Sequence, residues 1–255
     1  MPVRGVFFDL YGTLLNYDNL NLAWKDWLNS LYGEFTQSGI QISPDDFSVA
    51  CRGFYDDLTF FRRQASDHLT VFEERIKRLA DKLGVSLSDI HATADNCAAA
   101  WQRHISIDHQ AEPLLRELKN DRTLTLVSNF DHPPHVRRLL KQSGWISLFD
   151  HVVISGEVGV QKPDTRIFEH ALALSSLSAD EVIHVGDSFA DDVLGAYGAG
   201  IVPVFLNKND NDSKNLEFSP ISADYERNSK VKFPSGTRCI RQLSEVVDVF
   251  EDISR

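Results

Sequence analysis

The sequence contains little sulfur. Among its 255 residues there are three cysteines and one methionine. Cys51, Cys97 and Cys239 lie far apart and are odd in number, so they suggest neither a disulfide framework nor the closely spaced pairs of a cysteine metal site. This usage indicates a protein of a reducing compartment.

Long apolar runs are also missing. No apolar stretch approaches the roughly 20 residues that a membrane-spanning helix needs. The short apolar run at the N-terminus contains Asp9 and is followed by no small-residue cleavage site, which is unlike a signal peptide. We therefore expect a soluble, cytoplasmic protein with no membrane partner.

Positive charge is scarce. Lysine and arginine number 26 against 37 acidic residues, which gives a formal net charge of -11. Nucleic acids bind basic surfaces, so we expect no nucleic-acid partner. A small anionic substrate is compatible with this balance, because its site needs only a locally positive environment. The rest of the composition, 42% hydrophobic and 25% charged, is typical of a globular protein.

Five short runs rich in Val, Ile, Leu and Phe have the composition of strands that are buried on both faces of a parallel sheet. They cover residues 3–9, 123–127, 151–154, 182–185 and 202–205. Helical patterns lie around the later strands, at 112–120, 133–142, 166–174 and 191–199. Strands that alternate with helices predict an α/β fold with a doubly wound, Rossmann-like parallel sheet.

The segment between the first two strands is too long for a simple crossover. Within it, apolar residues repeat at helical spacing, at positions 24, 27, 28 and 31 and again at 72, 76, 79 and 83. We predict a core domain made of residues 1–15 and 109–255, into which an all-helical cap domain, residues 16–108, is inserted. A single larger helical layer is the alternative.

The C-terminal part contains two further segments. Residues 207–235 are polar and poor in aliphatic side chains, which predicts a surface excursion or a partly disordered loop. An amphipathic pattern over 241–253 predicts a final helix. Either a monomer or a homodimer is expected. Exposure of Trp24 or Trp27 would indicate a dimer face, whereas packing inside the cap is the commoner use of such residues.

Polar side chains follow four of the predicted strands. Asp9 ends the first strand, and Ser128 and Asn129 end the second. Lys162 comes soon after the third strand, and Asp187 directly follows the fourth. In a doubly wound sheet, ligands bind beyond the carboxyl ends of the strands. Each residue alone is equally well explained as a solvated loop residue or a helix cap, but together they predict one site.

Four motifs in this order carry a family resemblance. They are Asp-Leu-Tyr-Gly-Thr at 9–13, Ser-Asn at 128–129, Lys-Pro at 162–163, and Gly-Asp-Ser at 186–188 followed by Asp-Asp at 191–192. The sequence resembles the haloacid dehalogenase superfamily, in which many members carry a helical cap after the first strand. The resemblance covers the core domain and implies a hydrolase with an aspartate nucleophile.

For a phosphatase of this superfamily, the resemblance implies that Asp9 attacks the phosphorus of a small phosphorylated metabolite and forms an aspartyl-phosphate. It implies a Mg²⁺ ion held by the Asp9 carboxylate, the Tyr11 carbonyl and Asp187. Asp192 lies where relatives place an acid that contacts the lysine or a metal-bound water. Asp191 is explained by the acidic first turn of a helix, where negative charge is favoured.

The remaining motif residues have expected roles toward the phosphate. The Lys162 ammonium and the Ser128 hydroxyl are suited to stabilise its charge. Gly12 permits the tight turn after the nucleophile, and Thr13 is expected to orient Asp9. We assign Gly12, Tyr11 and Asn129 to substrate binding. His132 and His135, three residues apart, show no third ligand and are better explained as polar residues of a helix start.

One position departs from the phosphatase pattern. Most phosphatases of the superfamily have a second aspartate two residues after the nucleophile, and this chain has Tyr11. A phenol, with an ordinary pKa of roughly 10, is a poor proton shuttle near neutrality. Tyrosine at this place is typical of the metal-independent L-2-haloacid dehalogenases, which usually lack the Gly186-Asp187 pair.

Two alternatives to a Mg²⁺-dependent phosphatase therefore stay open. One alternative is a haloacid dehalogenase. The other is a homologue that binds metal and phosphate but has impaired turnover. The dehalogenase alternative lacks support at Phe168, where dehalogenases commonly have tyrosine. Its halide-binding arginine has only the candidates Arg52, Arg62 and Arg63.

Overall fold

The computed structural model describes residues 3–57, 69–208 and 233–254. Two of the candidate halide-binding arginines, Arg62 and Arg63, lie outside these residues. Within the described part of the chain, no helix is long and apolar enough to cross a membrane. The cytoplasmic location and the monomeric or dimeric state stay predictions.

The core is a six-stranded parallel sheet in the order β5-β4-β1-β6-β7-β8. Its strands are β1 (Gly5–Phe8), β4 (Thr123–Ser128), β5 (His151–Ile154), β6 (Val182–Gly186), β7 (Val202–Leu206) and β8 (Arg238–Ile240). The central strand β1 is fully buried and pairs with β4 and β6. All five predicted strands are confirmed. The sequence did not predict β8, because three residues at a sheet edge carry too little pattern.

Helices cover both faces of this sheet, so the predicted doubly wound α/β fold is confirmed. They are α5 (Ala111–Leu118), α6 (Pro133–Gln142), α7 (Ser155–Val158), α8 (Thr165–Ser175), α9 (Gly195–Gly198) and α10 (Val246–Ser254). The predicted helix at 191–199 is a π-helical stretch, Phe189–Leu194, continued by α9. The final helix starts later than predicted, after a 3₁₀ turn at Leu243–Glu245.

The long insertion contains α1 (Leu20–Gln37), α2 (Pro44–Ala50), α3 (Val71–Leu83) and α4 (Ile90–Gln102). Two short strands that the sequence did not predict, β2 (Leu15–Tyr17) and β3 (Ile105–Ile107), pair antiparallel at its two ends. The insertion is therefore helical apart from this ribbon. The boundaries at 16 and 108 stay a prediction.

Local sequence signals explain the helices of the insertion. In α1, Ala23, Trp27, Leu31 and Phe35 recur every four residues and are all buried. Thr70 and Glu73 form a reciprocal capping box at the start of α3, and Gly84 ends that helix in a left-handed conformation.

Polar contacts join the insertion to the core beside α6. His132 contacts Thr70 Oγ1 through Nδ1 (3.1 Å) and Asp95 Oδ1 through Nε2 (3.0 Å). Arg75 Nε donates to Asp131 Oδ2 at 2.9 Å. His135 Nε2 contacts Gln102 Oε1 at 3.1 Å. Both histidines, which the sequence analysis did not interpret as a metal pair, therefore contact other polar groups.

Of the predicted polar segment 207–235, residues 209–232 lie outside the described residues. Before them, Lys208 Nζ donates to the Thr13 carbonyl oxygen (2.8 Å), to Asn16 Oδ1 (2.6 Å) and to Asp108 Oδ2 (2.9 Å). One ammonium therefore joins the loop after β1 to both ends of the insertion.

Candidate active site

The polar residues predicted from the strand ends meet at the carboxyl edge of the sheet. Asp9 directly follows β1, and its backbone N–H donates to the Val185 carbonyl oxygen at 2.9 Å. Lys162 Nζ lies 2.6 Å from Asp9 Oδ1 and 2.6 Å from Asp192 Oδ1. Lys162 is only 1% exposed and Asp9 only 6%. The centre of the site is thus a buried ammonium between two carboxylates.

Asp187 completes the acidic cluster from the end of β6. One oxygen each of Asp9, Asp187 and Asp192 lies within 4.8 Å of the other two. Gly12 has φ +88°, and a Cβ there would overlap the Asp187 carboxylate, so the turn after the nucleophile requires glycine. Thr13 Oγ1 donates to Asp187 Oδ1 at 3.1 Å. The observed contact of Thr13 is therefore with Asp187, whereas the sequence predicted one with Asp9.

The contacts of Asp192 position the lysine. Besides Lys162, its carboxylate accepts from the backbone N–H of Ser188 (2.9 Å) and contacts His184 Nε2 (2.9 Å). Burial alone would raise the pKa of Asp192, but Lys162 and His184 hold it below the usual range. Three donors thus use the Asp192 carboxylate, which favours the predicted contact with the lysine. Metal ligation by Asp192 stays a prediction.

The cluster carries more negative than positive charge. Burial raises the pKa of Asp9 to about 6, although Lys162 opposes the shift. Burial and the neighbouring Asp9 raise the pKa of Asp187 well above its ordinary value. Crowded carboxylates are stabilised by a cation between them, and Mg²⁺ prefers oxygen ligands of this kind. The donor set of the site therefore fits a small, hard divalent cation.

Ser128 and Asn129 differ in how their side chains are used. Ser128 Oγ is buried, with 1% of the residue exposed, and has no hydrogen-bond partner within the described ranges. The Asn129 amide accepts from the Lys162 backbone N–H (2.8 Å) and donates to the Lys162 carbonyl oxygen (3.0 Å). Asn129 thus holds the lysine segment in place, and the Ser128 hydroxyl is available to a ligand.

Tyr11, at the position of the missing acid, is tied to the insertion. Its hydroxyl donates to Gln102 Oε1 at 3.0 Å, and its ring stacks on Phe130 at 5.1 Å between centroids. Burial and the charge of Asp9 raise the pKa of Tyr11 further above its already high value. The phenol therefore stays protonated near neutrality. No sequence motif signalled Gln102 as its partner.

The profile of the haloacid dehalogenase-like hydrolase family matches residues 3–200. The chain belongs to this family. The match spans β1 to β6 and the insertion, and the four motifs lie within it.

Similar proteins of this family include named phosphatases. N-acylneuraminate-9-phosphatase of Rattus norvegicus is 26% identical over 215 residues, which cover 81% of this chain and 83% of the relative. Pyrimidine 5'-nucleotidase YjjG of Escherichia coli (strain K12) is 27% identical over 204 residues, which cover 79% of this chain and 85% of the relative. These hydrolases make phosphatase chemistry the better-supported branch of the family.

A solved structure shows the same fold. The 2-haloacid dehalogenase of Pseudomonas syringae pv. Tomato DC3000 superposes with a TM-score of 0.68 at 20% identity, covering 98% of this chain and 99% of the other. At this identity the likeness concerns the fold, including the helical insertion, and does not distinguish dehalogenase from phosphatase chemistry.

A cavity of about 280 Å³ lies in this hydrolase between the core and the insertion. Its aromatic lining consists of Tyr11, Tyr17, Trp24, Trp27, Tyr55, Phe72, Trp101 and Phe130. Asn129 and Asp191, which follow β4 and β6, line it from the core. The cavity thus adjoins the carboxylate cluster. Trp24 and Trp27 face this space within the insertion, which agrees with their predicted packing inside the cap.

Proposed function

We propose that this chain is a Mg²⁺-dependent phosphohydrolase that acts on a small phosphorylated metabolite through an aspartyl-phosphate. The observation that carries the proposal is the buried cluster at the carboxyl edge of the sheet, in which Lys162 bridges Asp9 and Asp192 beside Asp187. The phosphatases among its relatives support the phosphate branch of the family.

In this proposal an Asp9 oxygen attacks the phosphorus of the ester. A bond forms between that oxygen and phosphorus, and the bond from phosphorus to the leaving oxygen breaks. The leaving oxygen takes a proton from solvent. Water then attacks the phosphorus of the aspartyl-phosphate and gives a proton to solvent, the bond from phosphorus to the Asp9 oxygen breaks, and inorganic phosphate leaves. Lys162 holds positive charge beside the nucleophile, and Ser128 donates its unused hydroxyl hydrogen to a non-bridging oxygen. The attack thus uses groups that the fold already holds in place.

Asp9, Asp187 and the Tyr11 carbonyl are the groups that would hold the Mg²⁺ ion, with Asp192 as a further predicted ligand. When bound, the ion would neutralise the repulsion between the nucleophile and a doubly charged phosphate. Burial is the first cause of the raised pKa values of Asp9 and Asp187, and neighbouring carboxylates add to it; a bound cation would relieve both effects.

The contacts of Tyr11 set an expectation for the rate. Its protonated hydroxyl is bound to Gln102, so we propose that it does not shuttle the proton of the leaving group. A positioned general acid contributes roughly 10²- to 10⁴-fold to turnover. We therefore expect this phosphatase to turn over alkyl esters slowly.

A haloacid dehalogenase is the second candidate, and two observations favour it. Tyr11 occupies the acid position, and Lys162 alone already pairs with the nucleophile at 2.6 Å. Halide leaves carbon without needing a proton, so neither feature would hinder that reaction. Asp187 is evidence against it, because a second, half-buried carboxylate near Asp9 has no use in displacing halide from carbon.

The two candidate functions are distinguished by the group that is released and by whether its release needs Mg²⁺. Purified protein is assayed for phosphate release from p-nitrophenyl phosphate and a panel of phosphate esters, with Mg²⁺ or with a chelator. Chloride release from L-2-chloropropionate is followed with the chelator present. Phosphate release that needs Mg²⁺ supports the proposal.

Chelator-resistant chloride release would replace the proposal with the dehalogenase. If neither phosphate nor chloride is released, the remaining alternative is the homologue with impaired turnover, provided that the protein still binds Mg²⁺ and phosphate. The variant Asp9→Asn must lose whichever reaction is found.

A further inference from the structure

The cavity beside the carboxylate cluster is walled mainly by rings. Eight aromatic side chains line it, and they contact one another at centroid distances between 5.0 and 6.2 Å, with Trp101 at the centre. Trp101, from α4, lies against Tyr11, Tyr17, Trp24 and Phe130. Such walls favour a flat, apolar occupant, because aromatic faces and edges interact best with another ring. A purely aliphatic or polyhydroxylated group would leave these contacts unmade.

The charges on the cavity wall further restrict the chemical class of the occupant. Within the described residues the lining holds one cation, Arg75, and three carboxylates, Asp56, Asp131 and Asp191. Arg75 Nε donates to Asp131 Oδ2 at 2.9 Å and Nη1 to the Phe54 carbonyl oxygen at 3.0 Å. Its charge is thus already balanced within the protein. Among the described residues, the lining therefore offers no further cation to pair with a second anionic group of the substrate.

We propose that the phosphate ester accepted by this site carries an uncharged aromatic ring in its leaving group. This inference rests on the proposed phosphohydrolase function and specifies its substrate class. The phosphate would lie at Asp9 and Lys162 while the ring fills the cavity past Tyr11. At about 280 Å³, the cavity is near the lower end of the roughly 300–1,000 Å³ usual for ligand sites, which suits a compact ring.

The test compares pairs of phosphate esters in which only one member carries an aromatic ring in its leaving group. Uridine 5'-monophosphate is paired with ribose 5-phosphate, and benzyl phosphate with ethyl phosphate. With Mg²⁺, kcat/KM for the uridine ester should exceed that for ribose 5-phosphate about tenfold, as stacking of one ring allows. The benzyl pair should show a preference in the same direction.

Two variants assign the preference to the cavity. Phe72→Leu, in the lining, should weaken both ring-bearing esters relative to their partners. Phe47→Leu is its matched control, because Phe47 is buried in the insertion away from the cavity and should leave both ratios unchanged.

The outcomes separate the inference from the function on which it rests. Hydrolysis of all four esters without a ring preference would overturn the inference and leave the phosphohydrolase standing. A ring preference that Phe72→Leu leaves unchanged would overturn its assignment to the cavity. If no ester is hydrolysed, the proposed function fails and binding decides the inference. Quenching of tryptophan fluorescence is then measured, because three of the four tryptophans line the cavity. Tighter binding of the ring-bearing partners supports the inference, and equal binding overturns it.

Discussion

The carboxyl edge of the core sheet and the cavity under the insertion adjoin each other, yet they are built in opposite ways. At the sheet edge, buried charges lie within hydrogen-bond distance of fixed partners, as Lys162 does with Asp9 and Asp192. In the cavity, the walls are mostly aromatic rings that surround an open space. The first arrangement holds reacting groups in one geometry, and the second leaves contacts for a ligand to complete.

This contrast indicates a division of labour. Residues after the core strands would perform the chemistry, and residues of α1, α3 and α4 would select what is attached to the reacting group. Tyr11 belongs to both regions, because it follows the nucleophile by two residues and bonds to Gln102 of α4. Changes at the edge should therefore affect every substrate, and changes in the cavity should affect some substrates more than others.

The largest effect is expected at the nucleophile. Asp9→Asn should lower kcat by about 10⁴-fold or more for every ester, as removal of a nucleophile does elsewhere. Asp45→Asn, an exposed acid of α2, is the control and should retain full activity. Steady-state assays of both variants on all esters check this. Residual activity that differed widely between esters would break the proposed division.

Lys162 should be the residue of the edge that matters most for stability. Lys162→Met leaves Asp9 and Asp192 buried without their cation, so the free energy of unfolding should fall by about 3–5 kcal/mol. Lys77→Met removes an exposed helix pair with Asp81 and should cost less than about 1 kcal/mol. Urea unfolding of both variants measures the difference. Equal losses of unfolding free energy in the two variants would contradict the predicted contribution of Lys162 to stability.

Metal binding should stabilise the edge and leave the cavity unaffected. At a Mg²⁺ concentration of about 100 Kd, the free energy of unfolding should rise by about 2.7 kcal/mol. Asp187→Asn should abolish this response, and Asp45→Asn should keep it. Thermal unfolding with and without Mg²⁺ is the measurement. An unchanged melting temperature in the unmodified protein would argue for the metal-independent alternative.

The boundary between the two regions is tested at Tyr11. Tyr11→Asp supplies the missing acid and should raise kcat for alkyl esters by up to about 10²-fold. Tyr11→Phe removes only the hydrogen bond to Gln102 and should leave kcat near its original value. An unchanged rate in Tyr11→Asp would mean that proton transfer to the leaving group is not limiting.

An effect limited to acidic pH concerns His135, which stacks on Phe130 of the cavity wall. Burial lowers the pKa of His135 from 6.5 to about 4. Between these values the unfolded chain binds the extra proton, so stability rises with pH and is lost as pH falls from 6.5 toward 4. The contribution is at most about 1.4 kcal/mol per pH unit.

His135→Gln should flatten this part of the stability profile. His109→Gln, at an exposed position, should leave the profile unchanged. Urea unfolding at several pH values distinguishes the two variants. Parallel profiles for His135→Gln and the unmodified protein would contradict the buried, neutral state of His135.

The core was predictable because its signals are local. Buried parallel strands are continuous apolar runs, and the residue after each strand reaches the same edge, so Asp9, Ser128 and Asp187 could be grouped from the sequence alone. Asn129 shows the limit of that argument. Its position was predicted, but its bonds to the Lys162 backbone depend on how two loops meet.

The cavity was not predictable for a related reason. Trp24, Trp101 and Phe130 come from three separate segments, and their periodicity is equally that of ordinary helix packing. Only the tertiary arrangement shows that the rings face a space. The strand β8 and the ribbon of β2 and β3 were missed because three-residue strands have no measurable periodicity.

The central claim is that the Asp9 carboxylate becomes covalently bonded to phosphorus. The most direct test is acid quenching during turnover of a phosphate ester with Mg²⁺, followed by mass spectrometry of the peptide that contains residues 9–13. The account predicts that Asp9 carries a phosphoryl group, and that the group is lost when the quenched peptide is treated with hydroxylamine. Turnover with an unmodified Asp9, or a phosphoryl group on another residue, would contradict it.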